Sequence, residues 1–168
     1  MPDLPGLYEL LDRLGIEFTK YEHDAVFTCE AALAAVPDRR SVQTKNLFLR
    51  DKPGRRHFLL VTSCEKAVDI KRFAETIDAG HLSFGSAERL DKHLGLAPGS
   101  VTLLGLMNDP SHAVELYVDA DVWNREWWNC HPLVNTATLV LSRGDIERFL
   151  AETGHSPHVV TLESRSAS

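Results

Sequence analysis

Four polar segments flank apolar stretches and carry the side chains best suited to chemistry: Thr44-Lys45-Asn46 before Leu47-Phe48-Leu49, Pro98-Gly99-Ser100-Val101, Leu106-Met107-Asn108-Asp109, and His131-Pro132-Leu133-Val134-Asn135-Thr136. A lysine supplies a compact cation for a phosphate or a developing oxyanion. An asparagine offers donor and acceptor on one amide, and a histidine can bind or release a proton near neutrality. Gly99, following a proline, lets backbone N–H groups come close to a substrate. Each feature alone also has a plain reading: a surface lysine, a turn, a histidine that ends a strand.

Other chemistries are missing. The chain has no G-x-G-x-x-G or G-x-x-x-x-G-K-[ST] phosphate loop, no C-x-x-C and no H-E-x-x-H. His155 and His158 have helical spacing but no third ligand nearby in sequence, so exposed histidines are expected there rather than a metal. Cys130 and His131 are adjacent, and neighbours on a strand point to opposite faces. They therefore make a poor nucleophile–base couple, and Cys130 is expected to be a small packed residue. No nucleophilic triad and no cofactor site emerge.

The elements that must position these residues can be read from periodicity. Leu7, Leu10, Leu11 and Leu14 recur at helical spacing up to Gly15, and Ile16 to Tyr21 reads as a strand. Thr28 can cap a short helix through Val36. Lys45–Arg50 and His57–Thr62 form a hairpin about the Asp51-Lys52-Pro53-Gly54 turn. Val68, Phe73 and Ile77 mark a third helix, and Ala87–Leu94 a fourth closed by Gly95. The Pro98 loop leads into Val101–Gly105, Ala113–Asp119 and Ala137–Leu141 are further strands, Ser142 caps a helix carrying Ile146, Phe149 and Leu150, and His158–Leu162 is a last strand. Trp123, Trp127 and Trp128 are expected in the core. Hairpins mixed with helices, without regular alternation, predict an α+β single domain over 1–168 with a mixed, mostly antiparallel sheet flanked by helices. Residues 163–168 are expected to fray.

With 168 residues, 43% hydrophobic and 25% charged, the composition is that of a globular protein. No apolar run reaches the ~18 residues of a membrane span, and Met1–Gly6 lacks the pattern of a signal peptide. Three widely spaced cysteines, Cys29, Cys64 and Cys130, predict free thiols and a cytoplasmic setting rather than a disulfide framework. The net charge is -6, yet residues 39–56 hold Arg39, Arg40, Lys45, Arg50, Lys52, Arg55 and Arg56 against Asp51 alone, a local +6 on a body of -12. A basic strip on an acidic body suits binding one end of an RNA, although a solvated hairpin would look the same. The helices lack a basic recognition face, which speaks against a DNA-binding regulator.

Taken together and in order, the four segments resemble the YbaK/prolyl-tRNA editing domain superfamily, in particular its free-standing ProXp-ala (PrdX-like) branch. The likeness runs from about Leu7 to Val160 and rests on Lys45-Asn46-Leu47-Phe48-Leu49, Gly99-Ser100-Val101, Leu106-Met107-Asn108-Asp109 and His131–Thr136. The resemblance implies a deacylase that hydrolyses mischarged Ala-tRNA(Pro), with Cys-tRNA(Pro) or another small aminoacyl ester as the alternative, and a non-catalytic RNA-binding homologue as a second. It implies Lys45, Asn46 and His131 as the catalytic set. Gly99, Ser100, Val101, Asp109 and Asn135 would bind substrate, while Arg39, Arg40, Arg50 and Lys52 would bind tRNA. Partners would be the tRNA(Pro) acceptor end and, as a docking partner, prolyl-tRNA synthetase or an elongation factor, with neither membrane nor DNA. The sequence departs from the family where Leu103 and Leu104 replace a typical proline and phenylalanine; that loop is expected to shape the pocket.

Overall fold

A computed structural model of the chain describes residues 2–165. Local signals set most of its boundaries. Helix α1 (Leu4–Arg13) starts at Asp3, whose carboxylate accepts from Gly6 N, and α2 (Cys29–Ala35) starts at Thr28, whose hydroxyl accepts from Ala31 N. Helix α3 (Ile70–Thr76) is capped by Asp69 and α4 (Ala87–Leu94) by Ser86. The latter ends on Gly95 at φ 65°, the left-handed geometry for which glycine is suited. After a short α5 (Ala120–Trp123), α6 (Arg143–Thr153) begins with Ser142 accepting from Asp145 N.

The strands are β1 (Thr19–Glu22), β2 (Val42–Asp51), β3 (His57–Ser63), β4 (Leu82–Phe84), β5 (Val114–Asp119), β6 (Trp127–Cys130), β7 (Ala137–Ser142) and β8 (His158–Val160). They form one sheet in the order β1-β7-β6-β2-β3-β5-β8, with β4 also on β2. Long β2 is the spine. Its start pairs in parallel with β6 (Val42 with Trp128), its end antiparallel with β4 (Leu49 with Phe84), and its whole other edge with β3. The β1–β7, β2–β3, β2–β4 and β6–β7 pairings are antiparallel; β2–β6, β3–β5 and β5–β8 are parallel. Alternation along β3 divides the core: Leu59 and Val61 face the larger cluster with α1, α4 and α6, while Phe58 and Leu60 face a smaller one with Phe73, Leu82 and Tyr117. The fold is α+β with a mixed sheet.

Several expectations need correction. Cys29 and Cys64 are joined as a disulfide, with Cα atoms 5.4 Å apart, and only Cys130 is free among the three. A bridge between residues 35 apart leaves no local trace in sequence, so the odd count misled. Residues 163–165 are bonded rather than frayed: Asp69 N donates to Glu163 O (3.2 Å) and Arg165 N to Ala67 O (2.7 Å). Residues 166–168 of the expected tail lie outside the described residues. The strand expected over Ile16–Tyr21 begins only at Thr19, because Ile16 N closes the end of α1 on Leu11 O. Val101–Gly105 passes not into a strand but into a 3-10 helix, Leu103–Asn108. Its Leu103 and Leu104 are 1% and 0% exposed and belong to the core, so they do not shape a pocket. Trp128 is fully buried, and Trp123 packs on it edge to face at 5.9 Å.

Candidate active site

A cavity of about 300 Å³ opens where β2 passes between β6 and β3. Lys45 and Asn46 of β2, His131 just after β6, and Gly99 and Val101 of the Pro98 loop all line it. The fourth wall is the segment from Val26 through Thr28 with Cys29 and Ala32 of α2. The β2 backbone is held there by a buried amide network. Asn129 Nδ2 donates to Gln43 Oε1 (2.8 Å) and Thr44 Oγ1 donates to Asn129 O.

Lys45 is half-buried, and its ammonium donates to the backbone carbonyl of Lys66 in the turn after β3. Desolvation, with the nearby Arg165 cation, pushes its pKa below the usual lysine value. Lys66 itself points away, paired with Asp119 (2.7 Å) and Asp121 (2.9 Å). Asn46 contributes a buried side-chain oxygen with no hydrogen-bond partner among the described residues. An unpaired buried acceptor costs about 1–3 kcal/mol.

His131 Nδ1 lies 3.1 Å from Ala137 O. A carbonyl only accepts, so Nδ1 carries the proton and Nε2 keeps a free lone pair. Burial lowers the His131 pKa, and nearby His23 lowers it further, against the bond to Ala137 O. The ring is therefore a neutral acceptor at neutral pH. Gly99 has φ +89°, a conformation that favours glycine, while a Cβ built there would make only ordinary contact with the Phe27 ring at 3.5 Å, so the turn alone calls for glycine. Phe27 itself is 79% exposed at the mouth.

The structure does not gather every expected residue. Ser100 is absent from the cavity lining, and its N–H is used by Ala97 O (3.1 Å) in the turn. Asn135 stands behind the wall, its Nδ2 donating to Val26 O (3.2 Å) while its own carbonyl accepts from Val26 N (3.3 Å). Asp109 is elsewhere: its buried carboxylate accepts from Ala113 N (3.0 Å), Val114 N (2.9 Å) and His155 Nε2 (2.9 Å). It anchors the start of β5 instead of meeting a substrate. The basic strip is split by the extended strand. Arg39 and Arg40 precede β2 and Arg50 and Lys52 lie at its far end, roughly 33 Å apart for ten residues at ~3.3 Å each. Arg39 lines a second cavity of about 230 Å³ that shares Gln43 and Cys64 with the first, whereas Arg40 is paired with Asp38 at 3.0 Å. Phe27, Cys29, Ala32, Gln43 and Cys64 were missed because only the tertiary fold brings α2 and the β3 turn to the cavity.

No covalent nucleophile is offered. The bridged cysteines are spent, Thr28 caps α2, Thr44 donates to Asn129 O, and Cys130 lies outside the lining with its thiol pushed up to about 12 by burial. No group of three or more His, Cys, Asp or Glu side chains among the described residues could hold a metal.

Comparison with known proteins gives these features a context. The model of the aminoacyl-tRNA editing domain family matches residues 23–149, which include Lys45, Asn46, Gly99 and His131. The prolyl-tRNA editing protein ProX of Acetoanaerobium sticklandii is 37% identical over 152 residues, covering 90% of this chain and 93% of that protein. The prolyl-tRNA synthetase associated domain-containing protein 1 of Danio rerio is 34% identical, covering 94% and 86%. A crystal structure described as a candidate trans-editing enzyme for prolyl tRNA synthetase superposes with a TM-score of 0.71 at 20% identity over 98% of each chain, which attests the shared fold. The chain belongs to the aminoacyl-tRNA editing domain family.

Proposed function

We propose that the protein is a trans-editing deacylase that hydrolyses Ala-tRNA(Pro). The observation that carries this reading is that Lys45, Asn46 and a neutral His131 together line one cavity of about 300 Å³. That volume is at the small end for ligand sites. Val26, Ala32 and Val101 give it apolar walls, which suits a methyl side chain. A sieve that accepts alanine and spares proline would draw on overpacking, which typically costs about 1–3 kcal/mol.

An aminoacyl ester is already activated, so orientation and charge stabilisation are the main requirements. Lys45 would meet the terminal phosphate or the oxyanion that forms as water adds to the ester carbon. The Asn46 amide would help hold the substrate, and the Gly99 and Val101 backbones would approach the ester carbonyl. His131 Nε2 would hold the attacking water, or accept its proton, while the free hydroxyl of the terminal ribose orients that water. The absence of a nucleophile in the lining supports direct attack by water. Phe27, exposed at the mouth, offers a ring on which the terminal adenine can stack. Arg39, lining the adjoining cavity, and Arg165, next to Lys45, would carry the following phosphates, with Arg40, Arg50 and Lys52 farther along the acceptor stem.

The test is single-turnover hydrolysis of Ala-, Cys- and Pro-tRNA(Pro) by purified protein. Loss of alanine alone supports the reading. Preferential loss of cysteine keeps the chemistry and changes the substrate. Intact esters in all three cases refute the deacylase and leave an RNA-binding homologue.

A further inference from the structure

Both cysteines of the disulfide line the candidate active site, and they enter it from opposite walls. Cys29 opens α2, directly after the cap Thr28 and next but one to Phe27. Cys64 sits in the turn that follows β3, where its N–H donates to Gln43 O (2.8 Å). Two residues on, the carbonyl of Lys66 receives the ammonium of Lys45. One covalent link thus spans the substrate wall and the turn that orients the candidate catalytic lysine. The Cα separation of 5.4 Å lies within the ordinary range for a bridge, so neither segment must move for it to form.

Without that link α2 has little to hold it. It is seven residues long, and its buried apolar anchors are Ala32 and the flanking Val26 and Val36. Ala31 and Ala34 face solvent. A helix this short is not stable by itself and takes its position from its attachments. Both cysteines are only half-buried, so a small thiol or disulfide can reach them from the cavity side.

We propose that Cys29 and Cys64 form a reversible thiol–disulfide site that sets the shape of the editing pocket. Oxidised, the bridge fixes α2 against the Cys64 turn and keeps the cavity small with Lys45 in place. Reduced, α2 hangs on its few apolar contacts, the wall loosens, and catalysis on the small aminoacyl ester falls. The oxidant is a low-molecular-weight disulfide such as oxidised glutathione. One cysteine thiolate attacks it and releases one glutathione thiolate. The second cysteine attacks the mixed disulfide, releasing another, so two electrons and two protons leave the protein pair and two glutathiones are formed. A dithiol reverses the exchange. The effect on catalysis rests on the deacylase reading above; the change in α2 does not.

The experiment equilibrates the purified chain in glutathione buffers of graded ratio, quenches in denaturant with an alkylating reagent, and counts modified thiols by mass. The same samples are assayed on Ala-tRNA(Pro) and by amide hydrogen exchange over residues 26–36. The expected result is a shift from one alkylated thiol (Cys130) to three as the buffer becomes reducing. It is accompanied by a fall of about fivefold or more in kcat/KM, the lower end for coupled sites, and by loss of protection in α2. Cys29→Ser and Cys64→Ser should behave like the reduced protein in every buffer. Three thiols throughout, or equal exchange in α2 in both states, would overturn the proposal. So would equal rates in the two states in an active protein. If no aminoacyl-tRNA is hydrolysed in either state while thiol count and α2 exchange change together, the deacylase reading fails and the redox site stands.

Discussion

Replacing Asp109 with alanine separates a structural role from a substrate role at the residue where sequence and structure differ most. The carboxylate is 3% exposed and accepts three hydrogen bonds, from Ala113 N, Val114 N and His155 Nε2. Removing it takes the side-chain acceptor from the buried Val114 amide and from His155 Nε2, at about 1–3 kcal/mol each. The amide of exposed Ala113 can turn to water, so its loss is smaller. The expected destabilisation is about 3–6 kcal/mol, a large part of the ~5–15 kcal/mol typical of a whole domain. At ~2–4 °C per kcal/mol for a chain of this size, Tm should fall by roughly 10–20 °C. Asp109→Asn keeps one acceptor and should lose about half as much. Urea unfolding followed by tryptophan fluorescence is a suitable assay, because Trp128 is fully buried and will report its exposure. Below the unfolding range, deacylation per folded molecule should stay within about twofold of wild type, since the residue does not line the cavity. Unchanged stability with a large loss of activity would refute this reasoning and return Asp109 to the substrate.

Three further outcomes can be checked separately. His57 is buried beside His93 (ring centroids 4.2 Å apart) and accepts from Arg89 at 3.0 Å; burial first, then His93 and Arg89, push its pKa down to about 4. Because the unfolded chain binds this proton near pH 6.5, stability should be complete above that value and fall by up to ~3 kcal/mol as pH drops towards 4, and His57→Gln should flatten the slope in unfolding curves across that window. Phe27→Ala should raise KM for aminoacyl-tRNA by about 5- to 150-fold with little change in kcat, and Phe27→Trp should restore it, as expected for a stacking platform worth ~1–3 kcal/mol; equal KM values in steady-state assays would remove that role. His131 has a pKa lowered from the usual histidine value, so the acid limb of kcat/KM, where protonation abolishes the Nε2 acceptor, should have its midpoint below about pH 6.5; an acid-limb midpoint above pH 7 would contradict it.

What could be read from sequence was what depends on near neighbours. The caps at Thr28 and Ser142, the Gly95 stop and the hairpin about Pro53-Gly54 all rest on residues within one turn of each other, and each is where its local chemistry puts it. Strands β4 and β6 were not foreseen. The first has three residues, and the second holds a tryptophan pair whose placement comes from pairing with β2 and β7 rather than from alternation. At the site, Lys45, Asn46, Gly99, Val101 and His131 came from three of the four ordered motifs and do share one cavity. Residues acting across space could not be read that way. Cys29 and Cys64, 35 positions apart, meet only because β3 returns beside α2. Asp109 turns from the cavity because the 3-10 helix after Thr102 buries Leu103, Leu104 and Leu106, and so aims the acid at the start of β5. The charge window likewise hid its geometry, since an extended strand parts Arg40 from Arg50 where a linear count sums them.

The central claim is that this cavity cleaves an alanyl ester with help from Lys45. It is tested most directly by single-turnover hydrolysis of Ala-tRNA(Pro) and Pro-tRNA(Pro) by the wild-type chain and by Lys45→Ala. The account predicts rapid loss of alanine, persistence of the prolyl ester, and a rate at least ~100-fold lower in the variant, the scale of a lost transition-state contact. Equal hydrolysis of both esters, or an undiminished rate in a folded Lys45→Ala protein, would contradict it.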